Sequence, residues 1–242
     1  MTVRVAMWSG PRNISTAMMR AWDNRPDTVV VDEPFYAAYL ARTGIDHPMR
    51  EEVLAAQPVD EASVLASLRA PLPDGVEVHY AKQMTHHLAP DADLGWTADF
   101  RNVLLIRDPV EVVASYVRSR ESCEPDDIGL PQQQRMMAYW DEHDAAPPVI
   151  DAGDFLRDPE GHLRWLCDWL GIGFTDRMLS WPAGPRDSDG VWAPHWYAAV
   201  WRSTGFEPWR PREVDLSAHD AAVAEECRPA YEALHSRRLL LG

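Results

Sequence analysis

Lysine is all but missing from this chain: of the 23 basic residues among 242, Lys82 is the only one that is not arginine. A bias toward arginine carries no functional reading by itself, but the exception draws notice, because lysine offers a compact point charge where arginine offers a planar fork. Positive charge is short overall, with 38 acidic residues giving a net charge of -15. An acidic chain of this kind is a poor partner for nucleic acid, although a small anion still fits a local basic pocket. Only Cys123, Cys167 and Cys227 are available for sulfur chemistry, far apart in sequence, so neither a disulfide framework nor a Cys-x-x-Cys metal pair is present. Long apolar runs are missing too. Nothing approaches the roughly 20 residues that span a bilayer, and the mean hydropathy is -0.35. The first residues enter a strand-like run without the charged, apolar and small-residue regions of a signal peptide. These absences lead to the expectation of a cytoplasmic, non-membrane protein, read as one domain over residues 1–242.

What is present begins with the first loop, Ser9-Gly10-Pro11-Arg12-Asn13-Ile14-Ser15-Thr16, between a strand-like run over 3–8 and a helical pattern over 17–22. A strand, a tight turn and a helix N-terminus gather backbone N–H groups and the positive end of a helix dipole, which suits phosphate or sulfate. A Walker A loop needs a second glycine and then a lysine, and here Ser15 and Thr16 occupy those places. The only basic residue in the loop is Arg12. The spacing predicts an anion cradle that is not an ATP-hydrolysing one.

The rest of the chain alternates strands and helices. The β-branched run over 28–31 reads as a strand buried on both faces and ends in Asp32-Glu33-Pro34. Ligands of open α/β sheets bind at such strand ends, which makes Glu33 a site candidate. Helices are expected over 48–56 and 61–69. A strand over 76–81 leads into Lys82-Gln83-Met84-Thr85-His86-His87, which places the lysine and both histidines at a further strand end. No carboxylate or third histidine falls at ligand spacing beside them, so no metal site is expected. The apolar run over 102–106, closed by Arg107-Asp108-Pro109, precedes a helix expected over 110–120, with Ser115 about two turns along it. Further elements are expected as a helix over 132–143, a short strand over 148–151, a helix from Asp158 stopped by Gly171, and a closing helix over 218–234. Residues 181–212 are rich in Trp, Pro, Gly and Arg. They include Trp192, Trp196, Trp201, Trp209 and the run Arg210-Pro211-Arg212, and read as a long loop folded over a pocket.

The βαβ rhythm predicts an α/β fold, three layers with a mostly parallel central sheet. Within it, the first loop, the strand end at Lys82 and the segment Arg107-Asp108-Pro109 with Ser115 resemble the sulfotransferases that use 3′-phosphoadenosine 5′-phosphosulfate (PAPS). The stretch from Asp154-Phe155-Leu156-Arg157-Asp158-Pro159-Glu160 to Leu170-Gly171-Ile172 is similar to the scaffold helix of bacterial members, and the likeness runs over residues 3–175. The resemblance implies the P-loop-like sulfotransferase fold and a PAPS-dependent transferase acting on a hydroxyl or amine of a small-molecule acceptor, without metal. It implies that residues 10–16 (Gly10, Pro11, Arg12, Asn13, Ile14, Ser15, Thr16) hold the 5′-phosphosulfate, Arg12 standing where cytosolic members have lysine. Arg107 and Ser115 then hold the 3′-phosphate. Arg202, Ser203 and Thr204 correspond to the family's basic segment over the nucleotide, and Lys82 to a donor on the bridging oxygen. In cytosolic members a Lys-Thr-His triplet ends the third strand, whereas here His86 and His87 lie four and five positions after Lys82. Other members use a glutamate at the end of the second strand, where Glu33 stands, so Glu33, His86 and His87 all remain candidates for the base. The competing readings are a nucleotide-dependent small-molecule kinase and a non-catalytic nucleotide-binding module. Neither the acceptor nor the oligomeric state is legible.

Overall fold

The computed structural model describes residues 2–118, 123–211 and 213–242. Its sheet comprises β1 (Val3–Ser9), β2 (Thr28–Asp32), β3 (Val78–Met84), β4 (Arg101–Ile106) and β5 (Val149–Asp151) in the order β2-β3-β1-β4-β5, all pairs parallel. Twelve helices accompany it among the described residues. The first six are α1 (Ser15–Asp23), α2 (Tyr36–Thr43), α3 (Arg50–Ala56), α4 (Glu61–Arg69), α5 (Pro109–Tyr116) and α6 (Pro125–Ile128). Then follow α7 (Leu130–Glu142), α8 (Ala152–Arg157), α9 (Pro159–Leu170), α10 (Ala193–Trp196), α11 (Ala198–Arg202) and α12 (Ala218–His235). None of these is long and apolar enough to cross a membrane.

Period-two alternation in β1 divides the core into two layers. Val5 and Met7 pack with Met18, Met19 and Trp22 of α1 and with Leu163, Leu166 and Cys167 of α9. Ala6 and Trp8 face the other way, against Val112 and Val113 of α5, Met136 and Trp140 of α7 and Tyr231 of α12. A third cluster joins Tyr36, Tyr39 and Leu40 of α2 and Val53 of α3 to Trp192, Ala193 and Tyr197 of the Trp-rich segment.

The chain direction from strand to strand reverses around β1, since β3 flanks it on one side and β4 on the other. In an open parallel sheet this is where a crevice opens beyond the strand ends. The expected strand over 76–81 is corrected by the sheet. As a central strand, β3 is buried along its whole length and runs on to Met84, so Lys82 sits inside the strand, opposite Met7 and Asp32. The helix expected over 110–120 ends at Tyr116, with Val117 and Arg118 in a turn, and Arg120, like Arg212, lies outside the described residues. The Trp-rich segment contains α10 and α11 and is not a continuous loop.

Candidate functional site

The loop after β1 turns tightly before α1 starts. Arg12 and Ile14 both take left-handed backbone conformations, with φ of 57° and 38°. Left-handed residues alternating with ordinary ones turn successive N–H groups toward one point, and the unpaired N–H groups of the first turn of α1 join them. Neighbouring elements hold the loop in place. Asn13 Nδ2 donates to the Leu105 carbonyl at 2.7 Å, and Thr85 Oγ1 lies 3.3 Å from the Ser9 carbonyl. Gly10 lies behind the loop, where a Cβ would stand 2.0 Å from the Ile128 carbonyl oxygen.

Arginines converge beside this cradle. Arg12 Nε donates to Ser115 Oγ at 3.0 Å, and Arg107 Nη1 donates to the Arg12 carbonyl at 2.9 Å. Arg107 is also held by Glu111 Oε2, at 2.6 Å from Nη2. Burial, together with the neighbouring charges of Arg118 and Arg107, pushes the Arg12 guanidinium below its usual range. Crowded like charges of this kind are relieved by an anion. Arg118 was not singled out in the sequence, because its place one turn beyond Ser115 becomes informative only when α5 is seen against the loop.

The other end of the same crevice is built from β2, β3 and the Trp-rich segment. Lys82 Nζ donates to Asp32 Oδ1 at 2.9 Å, Glu33 Oε1 at 2.6 Å and Tyr197 Oη at 2.6 Å. Tyr197 Oη in turn donates to Asp32 Oδ2 at 2.7 Å and accepts from Trp192 Nε1 at 3.2 Å. Burial works against the Lys82 charge, but Asp32 and Glu33 outweigh it and hold the ammonium well above the ordinary lysine range. Burial raises the Glu33 carboxyl, with Lys82 pulling it down and Asp32 pushing it up. Glu33 itself sits at φ 42°, strained backbone of the kind that accumulates at functional sites.

His87 stacks between Tyr36 and Tyr39, ring centroids 4.8 and 4.9 Å away. Its Nε2 lies 3.9 Å from Glu33 Oε2. Burial, then the charges of His86, His47, Lys82 and Arg42, press it far below the usual histidine range and keep the ring neutral. His86 meets His87 edge-on at 4.6 Å.

The cradle and this cluster share one cavity of about 360 Å³. Its walls include the sequence candidates Pro11 to Thr16, Glu33, Lys82, His86, His87, Arg107, Ser115 and Ser203. Three candidates do not line it. Gly10 packs on Ile128, while Arg202 and Thr204 are exposed outside the cavity. From the same segment, Arg210 lines it where Arg202 was expected. The sequence reading also missed Asp32 and Tyr197. Asp32 was legible in part, standing beside Glu33 at a strand end, whereas nothing in a run of aromatics distinguished Tyr197.

A family profile described as a sulfotransferase domain matches residues 3–238. Two curated Arabidopsis thaliana proteins, named branched-chain-amino-acid aminotransferase-like proteins 1 and 2, are 36% identical over 238 residues and 34% identical over 233. The matches cover 95% and 94% of this chain but only 41% and 40% of those proteins, so the chain spans about two fifths of their length. Among solved structures, the sulfotransferase domain from the curacin biosynthetic pathway superposes with a TM-score of 0.57 at 15% identity, covering 94% of this chain and 98% of that one. A sulfotransferase from Alicyclobacillus acidocaldarius superposes with a TM-score of 0.55 at 15% identity, covering 99% and 98%. At this identity the structures establish the shared fold.

Proposed function

The chain belongs to the sulfotransferase domain family, and on that premise we propose that it transfers the sulfuryl group of PAPS to a hydroxyl of a small molecule. The observation that carries the reading is a single cavity with a crowded arginine and N–H cradle at one end and a buried carboxylate at the other. The residues present fit the donor nucleotide. An anion at the left-handed loop relieves the repulsion among Arg12, Arg107 and Arg118, and the loop has no lysine of the Walker kind. When bound, the nucleotide supplies an activated sulfuryl group.

The chain's own residues then divide the work. The N–H groups of the loop and Arg12 face the 5′ end, where charge builds during transfer, and a preorganised donor of this kind typically contributes about 10² to 10³ in rate. Arg107 and Ser115 hold the 3′-phosphate. Glu33 takes the acceptor's proton. The cluster of Lys82, Asp32 and Glu33 carries one excess negative charge, so a proton on Glu33 neutralises a buried net charge. His87, kept neutral by burial, lies 3.9 Å from the Glu33 carboxylate, beyond hydrogen-bond reach, and in this reading is not the base. Lys82 spends its three donors on protein acceptors, so its role here is to hold Glu33 in place, which departs from a donor on the bridging oxygen.

The test has two parts. Saturating 3′-phosphoadenosine 5′-phosphate at a hundred times its Kd should stabilise the fold by about 2.7 kcal/mol, a rise in Tm of roughly 5 to 11 °C. Label from sulfur-labelled PAPS should then appear in an alcohol or phenol acceptor. No thermal shift, or a larger one with Mg²⁺ and ATP, overturns the reading.

A further inference from the structure

Arg107 is more than a charge beside the cradle, because its guanidinium is held in one orientation. Of the five N–H groups of an arginine, Nε and one on Nη2 converge here on Glu111 Oε2, at 2.8 and 2.6 Å. One on Nη1 reaches the Arg12 carbonyl at 2.9 Å. The two that remain, one on each terminal nitrogen, meet no acceptor among the described residues. Glu111 thus closes the side edge of the fork, and the Arg12 carbonyl pins one of its tips against the loop after β1. The open donors sit on the two terminal nitrogens, the edge of the fork that takes two phosphate oxygens in parallel.

The start of α5 does not need Glu111 for its own stability. Asp108 already caps that helix, its Oδ1 accepting from the Val110 N–H at 2.8 Å, while its Oδ2 accepts from Arg228 at 2.9 Å. Asp108, the carboxylate nearer in sequence, is thereby committed elsewhere, and Glu111 is the one carboxylate paired with Arg107 among the described residues. Arg107 lies before the cap, so the pair does not brace a helix face, and with the cation N-terminal to the anion it runs in the weaker order even for that purpose. Both side chains are largely withdrawn from water, at 12% and 24% exposure, and both line the cavity.

We propose that Glu111 is a positioning residue for the donor nucleotide: one carboxylate oxygen fixes the Arg107 fork with its two open N–H groups set for the 3′-phosphate, and this sets the preference for a nucleotide that carries one. The inference rests on the PAPS reading of the cavity. What Glu111 supplies is reach, not charge. Both bonds go to a single oxygen, which an amide oxygen can replace, whereas a negative charge at that place opposes the incoming phosphate. An arginine that has to be ordered by its ligand gives up affinity, about 3- to 10-fold for one rotamer-rich side chain.

Two variants separate reach from charge. Glu111→Gln keeps an acceptor oxygen at the same length and loses the charge, while Glu111→Asp keeps the charge and is one methylene short. 3′-Phosphoadenosine 5′-phosphate and adenosine 5′-phosphate are each titrated calorimetrically into wild type and both variants, with Tm recorded for all three proteins. Glu111→Gln is expected to bind the 3′-phosphorylated nucleotide at least as tightly as wild type, and Glu111→Asp about 3- to 10-fold more weakly. Adenosine 5′-phosphate, which has no group for the open fork, should bind the three proteins nearly equally. Unchanged affinity in Glu111→Asp, a Glu111→Gln as weak as Glu111→Asp, or parallel losses for both nucleotides would overturn the inference, the last being the mark of a merely structural role. A wild type that does not itself prefer the 3′-phosphorylated nucleotide would sink the donor reading, and the assignment of Glu111 would fall with it.

Discussion

Lys82 is the residue on which the site's electrostatics turn, and its chemistry explains why it is not another arginine. A single ammonium reaches Asp32, Glu33 and Tyr197 from within a central strand, where a planar fork has the wrong geometry to meet three acceptors at one point. Removing it leaves two buried carboxylates without their counter-charge. Lys82→Met is therefore expected to lower stability by about 3 to 5 kcal/mol, measured by urea unfolding, and the loss should shrink when Asp32→Asn is added, because one of the stranded charges goes with it. Arg107 permits a sharper test of assignment. If it holds the 3′-phosphate, Arg107→Ala should weaken 3′-phosphoadenosine 5′-phosphate by roughly 30- to 100-fold, the worth of a charge-assisted pair, while leaving binding of adenosine 5′-phosphate nearly unchanged. Equal losses for both nucleotides would remove Arg107 from that role.

Among the elements, the loop after β1 was the most legible, because a strand, a glycine turn and a helix start are all written in consecutive residues. The reason for its glycine was not. Gly10 has no contact with the cavity; it lets the loop lie against the Ile128 carbonyl at the end of α6, more than a hundred residues away in sequence. Gly10→Ala must push the two backbones apart, at a cost of about 1 to 3 kcal/mol as in other overpacked sites. A displaced cradle should also lose nucleotide affinity, so a variant with lowered Tm and unchanged Kd for 3′-phosphoadenosine 5′-phosphate would show that loop position and anion binding are independent. β3 shows the converse difficulty. Its alternating start at 76–81 suggested a strand that ended before Lys82, but pairing with β2 carries it to Lys82 and pairing with β1 to Met84. Pairing partners are set by topology, and local pattern does not contain them.

At the scale of the whole molecule, the Trp-rich segment is fastened across the sheet edge by polar links that no local pattern announces. Arg20 Nη2 donates to Asp189 Oδ2 at 2.7 Å, Arg186 pairs with Asp23 at 3.1 Å, and the Gly190 N–H donates to Asp32 Oδ2 at 3.1 Å. Each joins residues more than 150 positions apart, which is why the segment's composition was readable while its seating was not. Buried histidines give the assembled fold a testable acid response. Burial and the charge of Arg4 push His79 down to about 4, and His87 is also held far below its usual value. A depressed histidine stays neutral in the folded chain while the unfolded chain takes a proton, so stability is intact above about pH 6.5 and falls as the pH drops toward the folded value. The slope for one such group is about 1.4 kcal/mol per pH unit. Glu33 and Asp151, whose carboxyls burial raises, act with the opposite sign, since the folded chain takes up their protons first. The comparison that isolates the histidine is therefore a difference between proteins. Urea unfolding of wild type and His79→Leu at pH 7.5 and pH 5.0 should show the variant losing less stability, by roughly 1 to 2 kcal/mol over that interval, with every other titrating group common to both. Parallel losses in the two proteins would mean that His79 protonates without cost in the folded chain.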